Sequence, residues 1–382
     1  EWRKDTDMRR SVSGSIALLL AIMLLAGCGN TQPSGPPPAL AFPTSTGAGS
    51  SPAGGKTLQI FHFQGPVAAL AWSPDGKELV TAANGSRSAI VQVWDVQTGQ
   101  ATLSLGEQLG SACCLAWSPD GGHIVAGGRA SDLDQSSAQI WDASNGNSPL
   151  AFVEEGDNEI EQVLALAWSL DGARIATAIE VSPVPSASNP NPQPSTEIVQ
   201  VWEAATGKLL LTYSGHTGRV NALSWSPDSQ EIASASADKT VQVWNATTGA
   251  LVFTYRGHTM PILAIAWSPT GRAIASAGSE PGVQVWEPTT GHVFLHYQGH
   301  AGNVGALAWS PDGNRLVSGS QSAGAILEDH PIQVWDAFTG RHPFYYTGQS
   351  ESVTALAWSP DGKEIASAGG ETAQIWQAPA ES

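Results

Sequence analysis

Ala71-Trp72-Ser73-Pro74-Asp75-Gly76, then Val91-Gln92-Val93-Trp94-Asp95 and Thr98-Gly99, form a unit that the chain repeats almost to its last residue. Each copy has a short apolar run ending in Ala-Trp, a Ser-Pro-Asp-Gly turn, a run of small residues, a Val-Gln-Val-Trp run and a Thr-Gly turn, with local departures. The first tryptophan of each copy is Trp72, Trp117, Trp168, Trp225, Trp267, Trp309 or Trp358. The second is Trp94, Trp141, Trp202, Trp244, Trp286, Trp335 or Trp376. Only one of the 15 tryptophans lies outside this pattern, which gives seven copies. From Trp225 to Trp309 the interval is 42 residues twice running, a period suited to four strands per copy. The runs are short, β-branched or small, and bounded by turn chemistry. Pro74, Pro119, Pro227, Pro269, Pro311 and Pro360 sit in the turn, where a fixed φ helps and no ladder hydrogen bond is lost. A meander of this size cannot bury both faces alone, so the copies are expected to stack radially, each sheet covering the next.

Gly215-His216, Gly257-His258 and Gly299-His300 open three copies, and Trp94-Asp95, Trp141-Asp142 and Trp335-Asp336 close the third strand of three. On these residues the chain resembles the WD-repeat β-propeller family, over about 327 of its 382 residues. The resemblance implies an all-β fold: a seven-bladed propeller with four antiparallel strands per blade. It also implies a structural hydrogen-bond tetrad. Blade four carries it in full as His216, Ser234, Asp238 and Trp244; blade six has His300, Ser318, Asp329 and Trp335. Blade five has His258, Ser276 and Trp286, with Glu280 where aspartate is expected. The other four blades lack the histidine, and a looser local network is expected there.

Only six residues follow Trp376, too few for a fourth strand in the last blade. Lys56 to Phe63 precedes the first Ala-Trp-Ser-Pro-Asp-Gly where other copies have their outer strand, so this N-terminal strand is expected to complete blade seven and close the ring. Closure removes an edge that invites aggregation. Upstream, Arg9 and Arg10 precede an apolar run of 11 residues, Ile16 to Ala26. A membrane-spanning helix needs about 20, so residues 1–27 read as a cleaved signal with its true start at Met8. Leu25-Ala26-Gly27-Cys28 resembles the bacterial lipobox, which implies a lipid on Cys28. Residues 28–55 are rich in Pro, Gly, Ser and Thr and read as a disordered tether. Residues 56–382 are the propeller. The expected location is the bacterial cell membrane, lipid-anchored and facing away from the cytoplasm.

A net charge of −17 argues against nucleic acid as partner. Three cysteines make no disulfide framework; Cys113-Cys114 aligns with Asn221-Ala222 of an inner strand and reads as two small buried thiols. No phosphate loop, His-Glu-x-x-His or Gly-x-Ser-x-Gly appears, and no cofactor or metal is expected. Propellers of the resembling family mostly dock proteins through one face, the top, and the central channel. Insertions on that face are expected at Arg129 to Ser137, Ser182 to Ser195 and Gln321 to Glu328. Glu154, Glu155, Asp157, Glu159 and Glu161 read as an acidic loop there, and Glu280 and His330 join them as candidate binding residues. The leading expectation is a monomeric, non-enzymatic scaffold for protein partners. Two alternatives stay open: a small-ligand receptor or enzyme using the central pocket, and an accessory subunit in envelope protein assembly.

Overall fold

A computed structural model describes residues 55–86, 88–105, 109–130, 137–148, 150–152, 159–183, 195–321, 330–349 and 351–380, and among them there are strands, turns and loops but no helix. Strand β1 (Thr57–His62) is followed by β2 (Val67–Trp72), β3 (Glu78–Asn84), β4 (Ala89–Asp95) and β5 (Ala101–Leu105), and β2 to β5 make one antiparallel sheet in chain order. The same meander recurs in β6 (Leu109–Trp117), β7 (His123–Ala130), β8 (Ala138–Asp142) and β9 (Leu150–Phe152), and in β10 (Glu159–Trp168), β11 (Arg174–Pro183), β12 (Thr196–Glu203) and β13 (Leu209–Tyr213). It continues through β14 (Val220–Trp225), β15 (Glu231–Ser236), β16 (Val241–Asn245) and β17 (Leu251–Tyr255), then β18 (Ile262–Trp267), β19 (Ile274–Gly278), β20 (Val283–Trp286) and β21 (Val293–Tyr297). Next come β22 (Val304–Trp309), β23 (Arg315–Ser320), β24 (Ile332–Asp336) and β25 (Phe344–Tyr346). The last three strands, β26 (Val353–Trp358), β27 (Glu364–Gly369) and β28 (Thr372–Gln377), take β1 as their fourth, with Ile60 opposite Gln374 and His62 opposite Thr372. This is the four-stranded antiparallel unit of a β-propeller.

Each turn after the first tryptophan is built from its own side chains. The Ser73 hydroxyl donates to Asp75 at 2.8 Å and accepts the Glu78 N–H, while Asp75 accepts the Lys77 N–H and Gly76 adopts φ 72°. Short polar side chains that bond the backbone two residues on are natural turn formers, and a left-handed φ favours glycine. The run of small residues that follows has a packing cause. Ala82, Ala126, Ala178, Ala235, Ala277 and Ala368 are fully buried in second strands sandwiched between neighbouring sheets, where interior packing density leaves room for little more than a methyl group. Every first strand also carries a β-bulge, near its start as at Val67/Ala69 and Val220/Ala222 or, in β10, mid-strand at Val163/Ala165. Such a bulge bends the strand and sharpens its twist.

One feature differs from seven separate sheets. The pair Gln162–Arg129 joins β10 to β7, so those two meanders share one hydrogen-bonded sheet. β10 begins four residues ahead of its bulge at Val163/Ala165, β7 runs on to Ala130 opposite the bulges of β6, and the Ser137 hydroxyl adds a bond to the Glu161 carbonyl at 2.7 Å. Elsewhere the sheets meet mainly through side chains, with single backbone links such as the Val67 N–H to the Gly370 carbonyl at 2.8 Å and the Pro281–Asn303 bridge. Tyr213, Tyr255, Tyr297 and Tyr346, each ending an outer strand, stack on Trp244, Trp286, Trp335 and Trp376 of the following sheet at 4.0–4.4 Å. Phe61 of β1 lies 4.9 Å from Trp94, and the Trp72 indole N–H donates to the Ala357 carbonyl at 3.2 Å, so the sheet containing β1 packs on that of β2 to β5.

Candidate docking site

Four of the sheets hold their loops through a buried polar network. His216 Nε2 lies 2.8 Å from Ser234 Oγ and Nδ1 lies 2.8 Å from Asp238, while the Trp244 indole N–H donates to the same Ser234 oxygen at 3.1 Å. Burial pushes the Asp238 carboxyl up, but the bonds from His216 and Thr240 outweigh it and hold the group well below its usual range. His258 is arranged likewise on Ser276 and Trp286, with Glu280 at 2.7 Å in the aspartate's place and also bonded to Thr259. Glu280 is therefore tied into the fold. His300 reaches Ser318 at 2.7 Å, which also accepts from Trp335; Asp329 lies outside the described residues. In the last sheet Gln349 stands where the histidine does elsewhere, bonding Ser367 at 3.4 Å and the Gly369 carbonyl at 3.1 Å. Trp94 and Trp202 donate instead to Thr81 and Thr177, both at 2.9 Å.

A second network carries a signal that the sequence reading passed over. The hydroxyls of Tyr297 and Tyr346 donate to Gln333 and Gln374 at 2.7 Å, and the glutamine amides donate in turn to the carbonyls of Gly299 and Gly348. Tyr213 with Gln242 and Tyr255 with Gln284 repeat the arrangement. A Cβ at Gly215, Gly257 or Gly299 would run into the tyrosine hydroxyl, which explains the Gly before each histidine. The spacing Tyr-x-Gly-His, or Tyr-x-Gly-Gln at Gln349, together with the Gln of Val-Gln-Val-Trp, was the available clue.

Of the acidic candidates, Glu154, Glu155 and Asp157 lie outside the described residues, as does Cys28. Glu159 and Glu161 do not belong to a loop: they open β10, paired with Pro183 and Val181 of β11, because β11 extends far enough to complete their backbone bonds. Ser182 and Ser195 are joined through their hydroxyls at 2.8 Å; residues 184–194 lie outside the described residues. His330 is exposed and leans on Tyr345 at 4.5 Å.

The side of the Ser-Pro-Asp-Gly turns shows a more specific feature. Six of the seven first tryptophans are buried; Trp168 is half-buried. It lines a cleft of about 650 Å³ between the sheet of β6 to β9 and that of β10 to β13, with His123, Ile140, Leu150, Asp120 and Asp171. Leu170, 54% exposed, replaces the usual proline in the adjoining turn. At three other seams the protein covers the aromatic wall with its own arginine. Arg174 lies 5.0 Å over Trp225 and 3.5 Å from Asp171, Arg272 lies 4.3 Å over Phe338, and Arg315 lies 4.8 Å over Trp358. His123 occupies the position of Arg174 and Arg315 in its copy, with its ring 6.5 Å from Trp168. The other described clefts on this side, of 490–610 Å³, either contain Arg315 or have no aromatic wall.

Asp120 is held below its ordinary value by the Ser118 hydroxyl and the Gly122 N–H. Burial pushes Asp171 up, but Ser169, the Ala173 N–H and Arg174 outweigh it, so this carboxyl also lies low. Both are anionic at neutral pH, Asp171 in an ion pair with Arg174, so the cleft is an aromatic face flanked by two carboxylates of which one already has a cation beside it. Among the described residues, no three His, Cys, Asp or Glu side chains converge as a metal site requires.

The repeat and the strand meander match WD40 repeats over the second half of the chain. The profile of the WD domain, G-beta repeat, matches residues 207–245, 249–287, 291–336 and 340–377, and that of Eukaryotic translation initiation factor eIF2A matches residues 54–189. The chain is similar to Nuclear distribution protein PAC1 of Arthroderma otae, 29% identical over 46% of this chain and 37% of PAC1. It is also similar to Protein FIZZY-RELATED 3 of Arabidopsis thaliana, 26% identical over 48% of this chain and 33% of that protein. B-type cell cycle switch protein ccs52B of Medicago truncatula is 28% identical over the same shares. The chain thus spans about a third of the length of these relatives.

Proposed function

We propose that this protein is a scaffold for protein partners, a closed seven-bladed propeller that receives an arginine-bearing segment over Trp168. The observation that carries the reading is the half-buried Trp168 face between Asp120 and Asp171, at a seam where three sister seams hold the protein's own guanidinium groups. A cation over tryptophan gains about 0.5–2 kcal/mol, more as it is desolvated, and a guanidinium also satisfies flanking carboxylates geometrically. Exposed Leu170 supplies an apolar rim for the rest of the segment. The net charge of −17 favours a basic partner and disfavours nucleic acid. The relatives' WD40 repeats support the scaffold class. Closure is supported by the pairing of β1 with β28 and by the packing of β2 on β26. Monomeric, non-enzymatic action completes the proposal.

The test is a titration with a short peptide containing one arginine and with the same peptide carrying citrulline, read by the Trp168 indole N–H resonance. Saturable shifts are expected with arginine alone, with affinity at least several-fold weaker in Asp171→Asn by the same resonance and in Trp168→Ala by calorimetry. Equal response to both peptides, or shifts elsewhere only, would overturn the docking reading.

The same proposal places the protein outside the cytoplasm of a bacterium on a lipid at Cys28, supported by Leu25-Ala26-Gly27-Cys28 after the apolar run. Metabolic labelling with a fatty-acid probe should mark the native chain and not Cys28→Ser. An unlabelled native chain would remove the anchor and leave the docking reading standing.

A further inference from the structure

Cys113 and Cys114 are neighbours in β6, and in a regular strand their side chains would point to opposite faces. The bulge between Ala112 and Cys114 undoes that alternation, because the extra residue changes the strand's direction locally. The two sulfurs lie 3.0 Å apart, both are free thiols, and both residues are half-buried, where the sequence suggested small buried thiols. The Cys113 thiol donates to the Val163 carbonyl of β10 at 3.0 Å, across the seam to the next sheet.

The equivalent bulge positions show what the fold itself requires. Asn221 donates across its seam to the Ile262 carbonyl at 2.7 Å, and the Thr354 hydroxyl donates to the Val67 carbonyl at 2.7 Å. The following position is alanine in both, Ala222 and Ala355. A seam-crossing donor followed by a methyl group therefore suffices structurally, and neither needs sulfur. Two adjacent thiols in contact exceed that requirement.

We propose that Cys113 and Cys114 form a reversible redox site: a small disulfide of the glutathione type oxidises the pair to a vicinal disulfide, which withdraws Cys113 from Val163. Burial, and then the Cys113 sulfur, push the Cys114 thiol up, so Cys113 opens the exchange. The Cys113 thiolate attacks one sulfur of RSSR, forming a mixed disulfide and releasing RS⁻. The Cys114 sulfur then attacks the Cys113 sulfur, expels the second RS⁻ and gives up its proton to it. In sum two thiols lose two electrons and two protons, and RSSR becomes two RSH. The seam keeps the bond from Ser137 to Glu161 and the Gln162–Arg129 pair, so it loosens without parting.

The experiment incubates the full chain with oxidised glutathione and maps the peptide carrying both cysteines by mass spectrometry, alongside thermal melts. The peptide should lose two hydrogens, regain them with reductant, and show a Tm lower by roughly 1–3 °C when oxidised. Cys113→Thr, which restores the donor seen at Thr354, should melt like the reduced protein and ignore the oxidant. Cys114→Ala should trap a single glutathione on Cys113. Glutathione adducts on the native peptide without the internal bond, no reaction, or an oxidised form that melts like the reduced one would overturn the proposal.

Discussion

At the scale of single residues, Ser234 serves two buried groups at once: its oxygen accepts from the Trp244 indole, and its hydroxyl donates to His216 Nε2, whose Nδ1–H faces Asp238. Ser234→Ala leaves both buried groups without that oxygen, and an unsatisfied buried polar group costs about 1–3 kcal/mol. Its denaturation midpoint should fall accordingly, whereas Thr81→Ser, which keeps the acceptor for Trp94, should change little. Burial pushes Tyr255 up to about 12, against about 10 for an unfolded tyrosine. The unfolded chain thus loses its proton first, so stability is intact below pH ~10 and lost as pH rises towards 12. Denaturant midpoints at pH 9 and 11.5 should differ, and differ less in Tyr255→Phe. The depressed carboxylates act oppositely: Asp75, held at about 2 by its bonds from Lys77 and Ser73, and Asp238 stabilise above the ordinary carboxylate range, and that contribution fades as pH falls. The Ser-His-Trp bonds were legible through the WD-repeat resemblance, which implied the tetrad on those residues. Gln349 and Thr81 were not, since either residue type can accept or donate as required and nothing in its chemistry marks the role in advance.

At the scale of elements, β1 is separated in sequence from its partner β28 by almost the whole body, yet pairs with it from Thr57 to His62. Its removal strips an outer strand, uncovers Trp94 from Phe61, and leaves β28 as an open edge. A chain lacking residues 57–62 should melt well below the parent and self-associate on sizing columns. A deletion that melts like the parent would mean that β1 is dispensable. Strand order was readable because turn chemistry recurs with the tryptophans. The continuity of β10 with β7 was not: it depends on how far the two strands extend at the ends that meet, which sequence alternation leaves open. The cleft at Trp168 was half visible. Leu170 and His123 depart from the repeat in plain sight, but the exposure of Trp168 follows from packing across a seam that only coordinates reveal.

For the whole molecule, the proposed ring makes each cleft a rigid feature. A wall such as Trp168 keeps its shape because tyrosine-on-tryptophan stacks and cross-seam bonds hold neighbouring sheets in place. If the circle were open between the first and last sheets, Phe61, Trp72 and Trp94 would lack their cover, and every seam would be freer to shear. An experimental density map of the full chain, viewed along the axis of the stacked sheets, tests this most directly. The account predicts seven radial sheets with Thr57–His62 on the outside of the seventh. Six or eight sheets, or a solvent gap between the sheets of Trp72 and Trp358, would contradict it.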